Sequence, residues 1–201
     1  MAATDKNTIV QALQAVLPAH AIIAHNEGLT AYECDGLTAY RQRPLCVVLP
    51  ETEAQVQAVL KTCHAHQVPV VARGAGTGLS GGAMPHAHGV TLSLARFNQI
   101  VRIDPLSCTA VVQAGVRNLA ISEAAAPYGL YYAPDPSSQI ACTIGGNVAE
   151  NAGGVHCLKY GLTVHNVLQV RGFTIEGDPL TLGSQALDSA GYDLLSLAVG
   201  S

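Results

Sequence analysis

The chain has 201 residues, of which 49% are hydrophobic and 12% are charged, and its formal net charge is −4. This composition is typical of one sizeable domain or two small lobes built around an apolar core, and it argues against an intrinsically disordered protein. The chain contains no Trp and no run of Lys or Arg, so neither a nucleic acid nor an anionic membrane surface is indicated as a partner. No segment approaches the roughly 18 apolar residues of a membrane-spanning helix.

The cysteines and the N-terminus indicate the compartment. The six cysteines form no Cys-x-x-Cys pair, which favours free thiols in a reducing environment over disulfides. The first 18 residues lack the basic and apolar regions of a signal peptide and are typical of an amphipathic helix. We therefore expect a cytoplasmic protein.

In the first half of the chain, apolar spacing predicts a strand–helix–strand unit. A short helix is predicted over residues 8–17, followed by a loop over 25–43. The continuous apolar run at 45–49 is typical of a buried strand, the spacing over 51–66 predicts a helix, and 68–72 is a second strand. Strands joined through a helix are expected to run parallel.

The second half alternates between short strands and irregular segments. Strands are predicted at 89–94, 100–103 and 109–113, and a helix at 116–126, which Gly129 ends in a left-handed conformation. Residues 131–154 show little periodicity and are predicted to be an irregular, functional segment. A hairpin is expected from residues 164–174 and 180–182, with its turn at 176–179.

The first glycine-rich stretch, residues 73–82, contains five glycines in nine residues. A dinucleotide-binding fingerprint would have to open a helix here, but two glycines and a proline follow, which disfavour helix by roughly 1 and 3 kcal/mol per residue. The Gly-Lys-Ser/Thr of a P-loop is missing. We predict a helix-free nest of backbone N–H groups that binds an anion, with Arg73 at its mouth and Thr77 and Ser80 as hydroxyl donors.

The second glycine-rich stretch, residues 143–154, is predicted to offer its amides to the heteroatoms of a flat ring, while its glycines leave room for that ring. A surface Ω-loop is the alternative interpretation of this stretch taken alone. The two stretches together indicate a long ligand with a central pyrophosphate and a ring system.

Two pairs of histidines and two single histidines are candidates for further chemistry. His64 with His66 on the predicted helix, and His86 with His88 in a loop, have no arrangement that favours a metal, and no metal site is predicted. The remaining candidates, His156 and His165, flank the second stretch. A hydrogen-bonded structural role is favoured for them over a general base.

Several motifs, taken in their order along the chain, resemble a known family. They lie at residues 44–53, 73–82, 133–138, 144–154 and 159–161. The chain resembles the flavin-binding domains of the vanillyl-alcohol oxidase/PCMH superfamily over about residues 41–201, and most closely the glycolate oxidase type within the D-lactate dehydrogenase branch.

This resemblance implies an α+β fold, a PCMH-type FAD-binding domain made of two α/β subdomains. The domain would occupy residues 41–201, after an N-terminal helix and lead-in at 1–40. It would be incomplete at its C-terminal end, because the final Gly-Ser matches the start of a Gly-Ser-Glu-Gly motif of the family.

The implied function is the FAD-binding part of a 2-hydroxy-acid oxidoreductase, with hydride transfer from the substrate Cα to flavin N5. The alternatives are a truncated FAD-binding module without turnover and a flavin reductase such as a UDP-sugar reductase, against which the Pro-Asp-Pro-Ser-Ser motif argues. The substrate site would lie mostly outside this chain, and no catalytic residue is assigned. The implied partners are an iron–sulfur subunit and a second flavin-domain subunit, which would allow peripheral membrane association.

The resemblance also implies three groups of cofactor-binding residues. The pyrophosphate would be wrapped by residues 73–78: Arg73, Gly74, Ala75, Gly76, Thr77 and Gly78. The ribityl and ring region would be lined by Pro134, Thr143, Gly146 and Asn147. The flavin cleft would be completed by Gly153, Gly154, Tyr160 and Val164, and Leu79, Gly145 and Asn151 are expected to bind the cofactor as well. Some members attach FAD through a His in the first loop, and Thr77 stands at that position, so we predict non-covalent FAD.

Overall fold

The computed structural model describes residues 5–186 and 191–201. The chain divides into two compact units. The first consists of Met1–Arg96 and Phe173–Pro179, and the second of Phe97–Gly172 and Leu180–Ser201.

The first unit is a four-stranded sheet with helices. Its helices are α1 (Lys6–Gln14), α2 (Asn26–Thr30) and α3 (Glu53–Ala65), and Ala19–Ala21 forms a 3₁₀ turn. Its strands are β1 (Ile22–Ile23), β2 (Cys46–Val48), β3 (Val70–Arg73) and β4 (Val90–Ser93). The strand order is β1-β2-β4-β3, with β1 antiparallel to β2, and with β2 and β3 both parallel to β4.

The core of the first unit lies under the central strands and two capped helices. Every residue of β2 and β4 is buried, as expected for parallel strands covered on both faces. The Asp5 carboxylate caps α1 and the Thr52 hydroxyl caps α3 by accepting from backbone N–H groups of their first turns. The predicted parallel strands are confirmed as β2 and β3, with β4 between them.

One prediction for the first unit is wrong, since the lead-in at 25–43 is not all loop. It contains the five-residue helix α2, whose Leu29 is 1% exposed. A helix this short has no periodicity to detect in the sequence, and burial of a single apolar side chain stabilises it.

The second unit combines a hairpin with short helices. Its strands are β5 (Ile100–Asp104) and β6 (Thr109–Val112), which pair antiparallel, and β7 (Gln169–Phe173) with β8 (Pro179–Gly183). Its helices are α4 (Asn118–Ala125), α5 (Ile144–Glu150), α6 (Cys157–Tyr160) and α7 (Leu194–Ala198), with 3₁₀ turns at Ala126–Tyr128 and Thr163–Asn166. A core cluster of Val116, Ile121 and Ile144 packs against Val112 and Tyr132.

The predicted helix end and hairpin are confirmed. Gly129 of the second unit has a φ of 72° where α4 and its 3₁₀ extension stop. Gly177, in the β7–β8 turn that is assigned to the first unit, has a φ of 81°. The first of the hairpin strands begins at Gln169 instead of 164, because Thr163–Asn166 is a 3₁₀ turn. The prediction that residues 131–154 are irregular is wrong at Ile144–Glu150, where the chain forms α5.

The cysteines and the helix lengths bear on two further expectations. All six thiols are free, as predicted: Cys34, Cys46, Cys63, Cys108, Cys142 and Cys157. Burial raises the pKa of Cys63 to about 12 and that of Cys46 to about 11. Among the described residues, no helix has the length and apolar composition that crossing a membrane requires.

Candidate functional site

The first glycine stretch leaves β3 as an extended loop. Residues 74–89 contain neither helix nor strand, so the helix-free prediction is confirmed. Gly76 and Gly81 have φ angles of 72° and 80°, a region that only glycine adopts at little cost. Within the described residues, the six backbone N–H groups of 74–79 donate to no backbone carbonyl. Backbone N–H groups seldom stay unpaired in a folded protein, so this loop is suited to hold an anion.

The Arg73 side chain lies inside this loop and not at its mouth, which corrects the prediction. The residue is 8% exposed. Its Nη1 donates to the carbonyl of Cys34 at 2.8 Å and to that of Ala83 at 3.4 Å, and the guanidinium lies 5.6 Å from the Tyr32 ring centroid. A Cβ at Gly76 would collide with this guanidinium. Arg73 therefore supports the shape of the loop through backbone carbonyls.

The lead-in segment packs against the other side of the loop. A Cβ at Gly36 would lie 2.8 Å from the carbonyl oxygen of Thr77 and 2.9 Å from that of Gly78. The Glu33 carboxylate accepts from Arg41 at 2.9 Å and from Arg43 at 3.3 Å. Sequence reasoning missed this support, although a glycine within the lead-in was a signal of close backbone approach. The loop thus has a fixed base, while the Leu79 side chain is 71% exposed.

The second glycine stretch begins as a helix. Thr143 is the N-cap of α5, and Asn151 ends the helix with a φ of 48°. The N–H of Gly145 donates to the carbonyl of Ala114 at 2.8 Å. The prediction that amides of this stretch serve a ring is therefore wrong for Gly145. The helix was not predicted because the two glycines in its first turn have low helix propensity. The burial of Ile144 and Asn147, which stabilises it, is not visible in the sequence.

Gly146 presents an open face beside a buried hydroxyl. Apart from its chain neighbours and the backbone of its own helix, the one atom of the described residues within 4 Å of a Cβ built at Gly146 is the Thr143 Oγ1, at 3.5 Å. Thr143 is 6% exposed, and its hydroxyl has no hydrogen-bond partner in the described part of the chain. A buried hydroxyl without a partner is costly. This position has both the space and the polar group that a flat heterocycle would need.

A buried amide network lies beside α5. Asn147 is 3% exposed and Asn118 is 1% exposed. The Asn118 Nδ2 donates to the carbonyl of Pro134 and to the Asn147 Oδ1, both at 2.9 Å, and the Asn147 Nδ2 donates to the Cys142 Sγ at 3.3 Å. Sequence reasoning placed Pro134 and Asn147 in the site but missed Asn118, which looked like an ordinary residue of the first turn of a helix.

The end of the second stretch is fastened to the Pro134–Pro136 segment. A Cβ at Gly154 would collide with the backbone carbonyl of Asp135. The Asp135 carboxylate accepts from the His156 backbone N–H at 3.2 Å and pairs with the His156 ring at 2.7 Å. Burial acts to raise the pKa of this carboxyl, but the hydrogen bonds from His156 outweigh burial and lower it. His156 is thus hydrogen-bonded in the structural way that the sequence favoured.

The remaining predicted site residues, Gly153, Tyr160 and Val164, also lie in the second unit. Val164 donates its N–H to the Asn151 Oδ1 at 3.0 Å. The Tyr160 ring meets the Tyr131 ring edge-on, with centroids 6.0 Å apart. The hydrogen bond with Tyr131, together with the nearby Lys159 ammonium, lowers the pKa of Tyr160. Gly153 continues the segment between Asn151 and Gly154.

The predicted site residues fall into two sets, one in each unit. Arg73 to Leu79 lie in the first unit, and all the residues predicted to line the ring and the cleft lie in the second. Within the first unit, His64, His86 and His88 are exposed. No group of three or more His, Cys, Asp or Glu among the described residues is placed to hold a metal.

The residues fit a cofactor that has phosphates and a flat ring. The N–H groups of 74–79, which donate to no backbone carbonyl of the described residues, match an anionic pyrophosphate. The partnerless Thr143 hydroxyl and the open face of Gly146 match a ring with polar edges. The chemistry of each set therefore agrees with the ligand that the sequence indicated.

Comparisons with known proteins point the same way. A family model described as FAD binding domain matches residues 44–183. The chain is 62% identical over 197 residues to "Glycolate oxidase subunit GlcD" of Escherichia coli strain K12, covering 98% of this chain and 40% of that protein. It is 42% identical over 177 residues to the protein of the same name from Bacillus subtilis strain 168, covering 88% of this chain and 38% of the relative.

A solved structure shares the fold. The chain matches an alkyldihydroxyacetonephosphate synthase with a TM-score of 0.84 at 20% identity, covering 98% of this chain and 38% of that one. At this identity the likeness concerns the fold alone. The chain spans about 40% of the length of the curated relatives it matches.

Proposed function

Since the chain belongs to the FAD binding domain family, we propose that it is the FAD-binding part of an oxidoreductase that acts on a 2-hydroxy acid of the glycolate or D-lactate type. Two relatives carry the name glycolate oxidase subunit, so glycolate is the first substrate to test. FAD, when bound, supplies a hydride acceptor at its N5 atom for the hydrogen on the substrate Cα. The chain's own part is to bind and orient that cofactor.

The observation that carries this proposal is that the backbone N–H groups of residues 74–79 donate to no backbone carbonyl in the part of the chain that the structure describes. They bind the pyrophosphate without a positively charged side chain, because Arg73 is engaged with the carbonyls of Cys34 and Ala83. Gly74, Ala75, Gly76, Thr77, Gly78 and Leu79 contribute the amides. Thr77 has no nucleophilic ring nitrogen, so FAD is held non-covalently.

The second unit binds the ring system. Thr143 offers its partnerless hydroxyl, and Gly146 leaves space for a flat group beside it. Pro134 and Asn147 are fixed by Asn118 and line the same region. Gly153, Gly154, Tyr160 and Val164 complete the cleft.

Location and partners extend the proposal. The six free thiols favour a reducing, cytoplasmic location. The word subunit in the relatives' names favours an assembly, and we propose an iron–sulfur subunit and a second flavin-domain subunit as the partners, through which peripheral association with a membrane would arise.

The test is Gly146→Ala in the 201-residue chain, with FAD binding measured by quenching of flavin fluorescence. A methyl group at Gly146 has room in the protein, and Ala favours helix over Gly, so the fold gains about 0.5–1 kcal/mol. The same methyl group occupies the space for the ring, and FAD affinity falls by roughly tenfold, equivalent to about 1.4 kcal/mol. Stability and affinity thus move in opposite directions.

Gly172→Ala is the matched control. A Cβ built at this glycine of β7 meets nothing within 4 Å, so both FAD affinity and stability stay near those of the unsubstituted chain. Equal FAD affinity in Gly146→Ala and Gly172→Ala would contradict the proposed ring position. A chain that binds no FAD at all would contradict the proposed function.

A second candidate function is FAD binding without turnover. The chain spans only 40% of the Escherichia coli relative, and the substrate site is proposed to lie mostly outside it. Dye reduction with glycolate or D-lactate, measured on the 201-residue chain and on a protein extended to the relatives' length, separates the two. Turnover in the extended protein alone supports both the oxidoreductase proposal and the role of this chain as its cofactor-binding part.

A further inference from the structure

We propose that Asn118, which lies outside both glycine stretches, is a positioning residue that holds the ring-binding part of the proposed FAD site in shape. The inference rests on the proposed function as far as FAD is concerned. Asn118 opens α4 and is 1% exposed. Amide side chains are seldom buried so completely, and those that are buried make hydrogen bonds that justify the loss of water.

Both hydrogen bonds of the Asn118 amide lead to predicted flavin-lining residues. Its Nδ2 donates to the Pro134 carbonyl, sixteen residues away in sequence, and to the Asn147 Oδ1, twenty-nine residues away. One NH₂ group therefore ties three separate segments together: α4, the Pro134 segment and α5. A substitution that removes the two donors frees both acceptors at once.

The bond to Asn147 also sets which way the Asn147 amide faces. Because the Asn147 Oδ1 accepts from Asn118, its Nδ2 is directed to the Cys142 Sγ at 3.3 Å. Cys142 directly precedes Thr143, the N-cap of α5. The orientation imposed by Asn118 is thereby transmitted to the start of the helix that carries Thr143 and Gly146.

The backbone at residue 118 reinforces the same junction. The Asn118 N–H donates to the Cys142 carbonyl at 3.0 Å, and Arg117 and Thr143 form an antiparallel bridge. This pairing survives any change of side chain at position 118. Side-chain variants consequently test the amide itself and leave the main-chain junction in place.

A purely structural role explains the site less well. The Asn118 Oδ1 is buried and has no partner among the described residues, and such a group costs stability. An apolar side chain of the same size would avoid that cost, so stability alone does not favour Asn here. The two donor bonds, which fix Pro134 and Asn147, account for the residue.

The test compares Asn118→Leu with Asn118→Asp, measuring the FAD dissociation constant relative to the unsubstituted chain at each pH. Leu has a similar size and no donor, and we expect roughly tenfold weaker binding at every pH. Burial raises the pKa of the carboxyl in Asn118→Asp, and only its protonated form has an O–H donor. We expect this variant to bind weakly at about pH 8 and to recover part of its affinity at about pH 5.5, because its single O–H restores one of the two donor bonds. A merely structural role would not produce this pH dependence.

Titratable groups in or near this network are Cys142, whose Sγ accepts from Asn147, and Tyr132, whose pKa is raised to about 12 by burial. Asp135 with its partner His156, and Tyr160 with Tyr131 and Lys159, are further titratable groups of the same unit. They are unchanged in both variants, so normalising each variant to the unsubstituted chain removes their contribution. Ser122→Ala is the matched control, since Ser122 is on the same helix and its Oγ contacts the backbone of Tyr132. FAD affinity is expected to stay within about twofold of the unsubstituted chain in this control.

A second readout does not need FAD. Hydrogen exchange of the backbone amides at residues 143–154 in the cofactor-free chain should speed up in Asn118→Leu and stay unchanged in Ser122→Ala. If Asn118→Leu binds FAD as the unsubstituted chain does, or if its exchange at 143–154 is unchanged, the proposal is overturned. If the unsubstituted chain binds no FAD, the proposed function fails, and the exchange result alone decides whether Asn118 positions this segment.

Discussion

The two glycine stretches differ in the part of the chain that they offer to a ligand. The first offers its backbone, since the N–H groups of 74–79 donate to no backbone carbonyl of the described residues. The second uses much of its backbone within the protein, as at Gly145, and offers side chains such as Thr143. A loop of the first kind suits a pyrophosphate, which accepts hydrogen bonds from all sides. A short helix with a hydroxyl at its N-cap position that makes no capping bond suits a ring with polar edges.

The reason for a glycine therefore differs between the two stretches. In the first stretch Gly76 is required by its own φ angle and by the Arg73 guanidinium beside it. In the second, Gly146 lies within α5 and a Cβ there would meet the Thr143 Oγ1 at an ordinary 3.5 Å, so neither backbone strain nor crowding requires a glycine, and the proposed ring position would use the space. Substitutions at glycines and at the residues that support them can therefore break or sharpen the comparison.

The largest effect is expected from Gly154→Ala. The new Cβ would collide with the backbone carbonyl of Asp135, which has no free rotation to relieve the contact. We expect a loss of about 3 kcal/mol in the free energy of unfolding, the upper part of the range for overpacking. Hydrogen exchange should rise across 134–156 and remain unchanged in the first unit. If Gly154→Ala were as stable as Gly146→Ala, the backbone at Gly154 would have moved away from Asp135 at little cost, and the second stretch would not be rigid there.

A smaller effect is expected from Arg73→Met, which tests how the first stretch keeps its shape. Met retains the apolar stem but leaves the carbonyl of the half-buried Cys34 without its charged donor. The expected loss is about 2 kcal/mol, within the range for removing one partner of such a bond. Denaturant unfolding measures the loss, and exchange of the amides at 74–83 locates it.

The control for Arg73→Met is Arg102→Met, at an exposed position of β5. Its stability should stay within about 0.5 kcal/mol of the unsubstituted chain, as for most surface substitutions. If Arg73→Met weakened FAD binding without any change in stability or exchange, the guanidinium would be a ligand of the cofactor instead of a support for the loop.

The fold could be predicted from the sequence where the pattern was long or was carried by motifs. The strand–helix–strand unit was visible because α3 is long and β2 is continuously apolar. The α+β fold of a PCMH-type FAD-binding domain is confirmed by the family match over residues 44–183 and by the fold likeness. The helix α2 could not be found, since five residues carry too little periodicity.

The candidate site was predictable in its glycines and less so in its side chains. The helix-free first stretch followed from local propensity alone. The position of the Arg73 guanidinium and the role of Asn118 depend on contacts with Cys34, Pro134 and Asn147. Those partners lie between 16 and 39 residues away in sequence, and no local pattern encodes such pairs. The helix α5 was missed because tertiary burial of Ile144 and Asn147 overrides the low propensity of two glycines.

The smallest effect is expected from Asp135→Asn, which removes a charge from the second stretch and keeps the shape. The folded-state pKa of Asp135 is lowered, so its contribution to stability is present above the ordinary pKa of about 3.9 and is lost as pH falls through the folded value. Because His156 is largely exposed, we expect the variant to lose less than about 1 kcal/mol near neutral pH. The difference from the unsubstituted chain should shrink steadily on acidification, as measured by denaturant midpoints.

Asp104→Asn is the control that distinguishes a general effect of removing a carboxylate from an effect on the proposed site. The pKa of Asp104 is also lowered, chiefly by hydrogen bonds from Ser107, so its variant should show the same trend in stability with pH. Only Asp135→Asn should also weaken FAD binding, because only Asp135 contacts Gly154 and His156. If both variants bound FAD equally well, the carboxylate would matter to the fold and not to the cofactor. The ring-binding part of the proposed site would then depend on the buried side chains of Asn118, Thr143 and Asn147. The contrast with the first stretch would rest on these three residues.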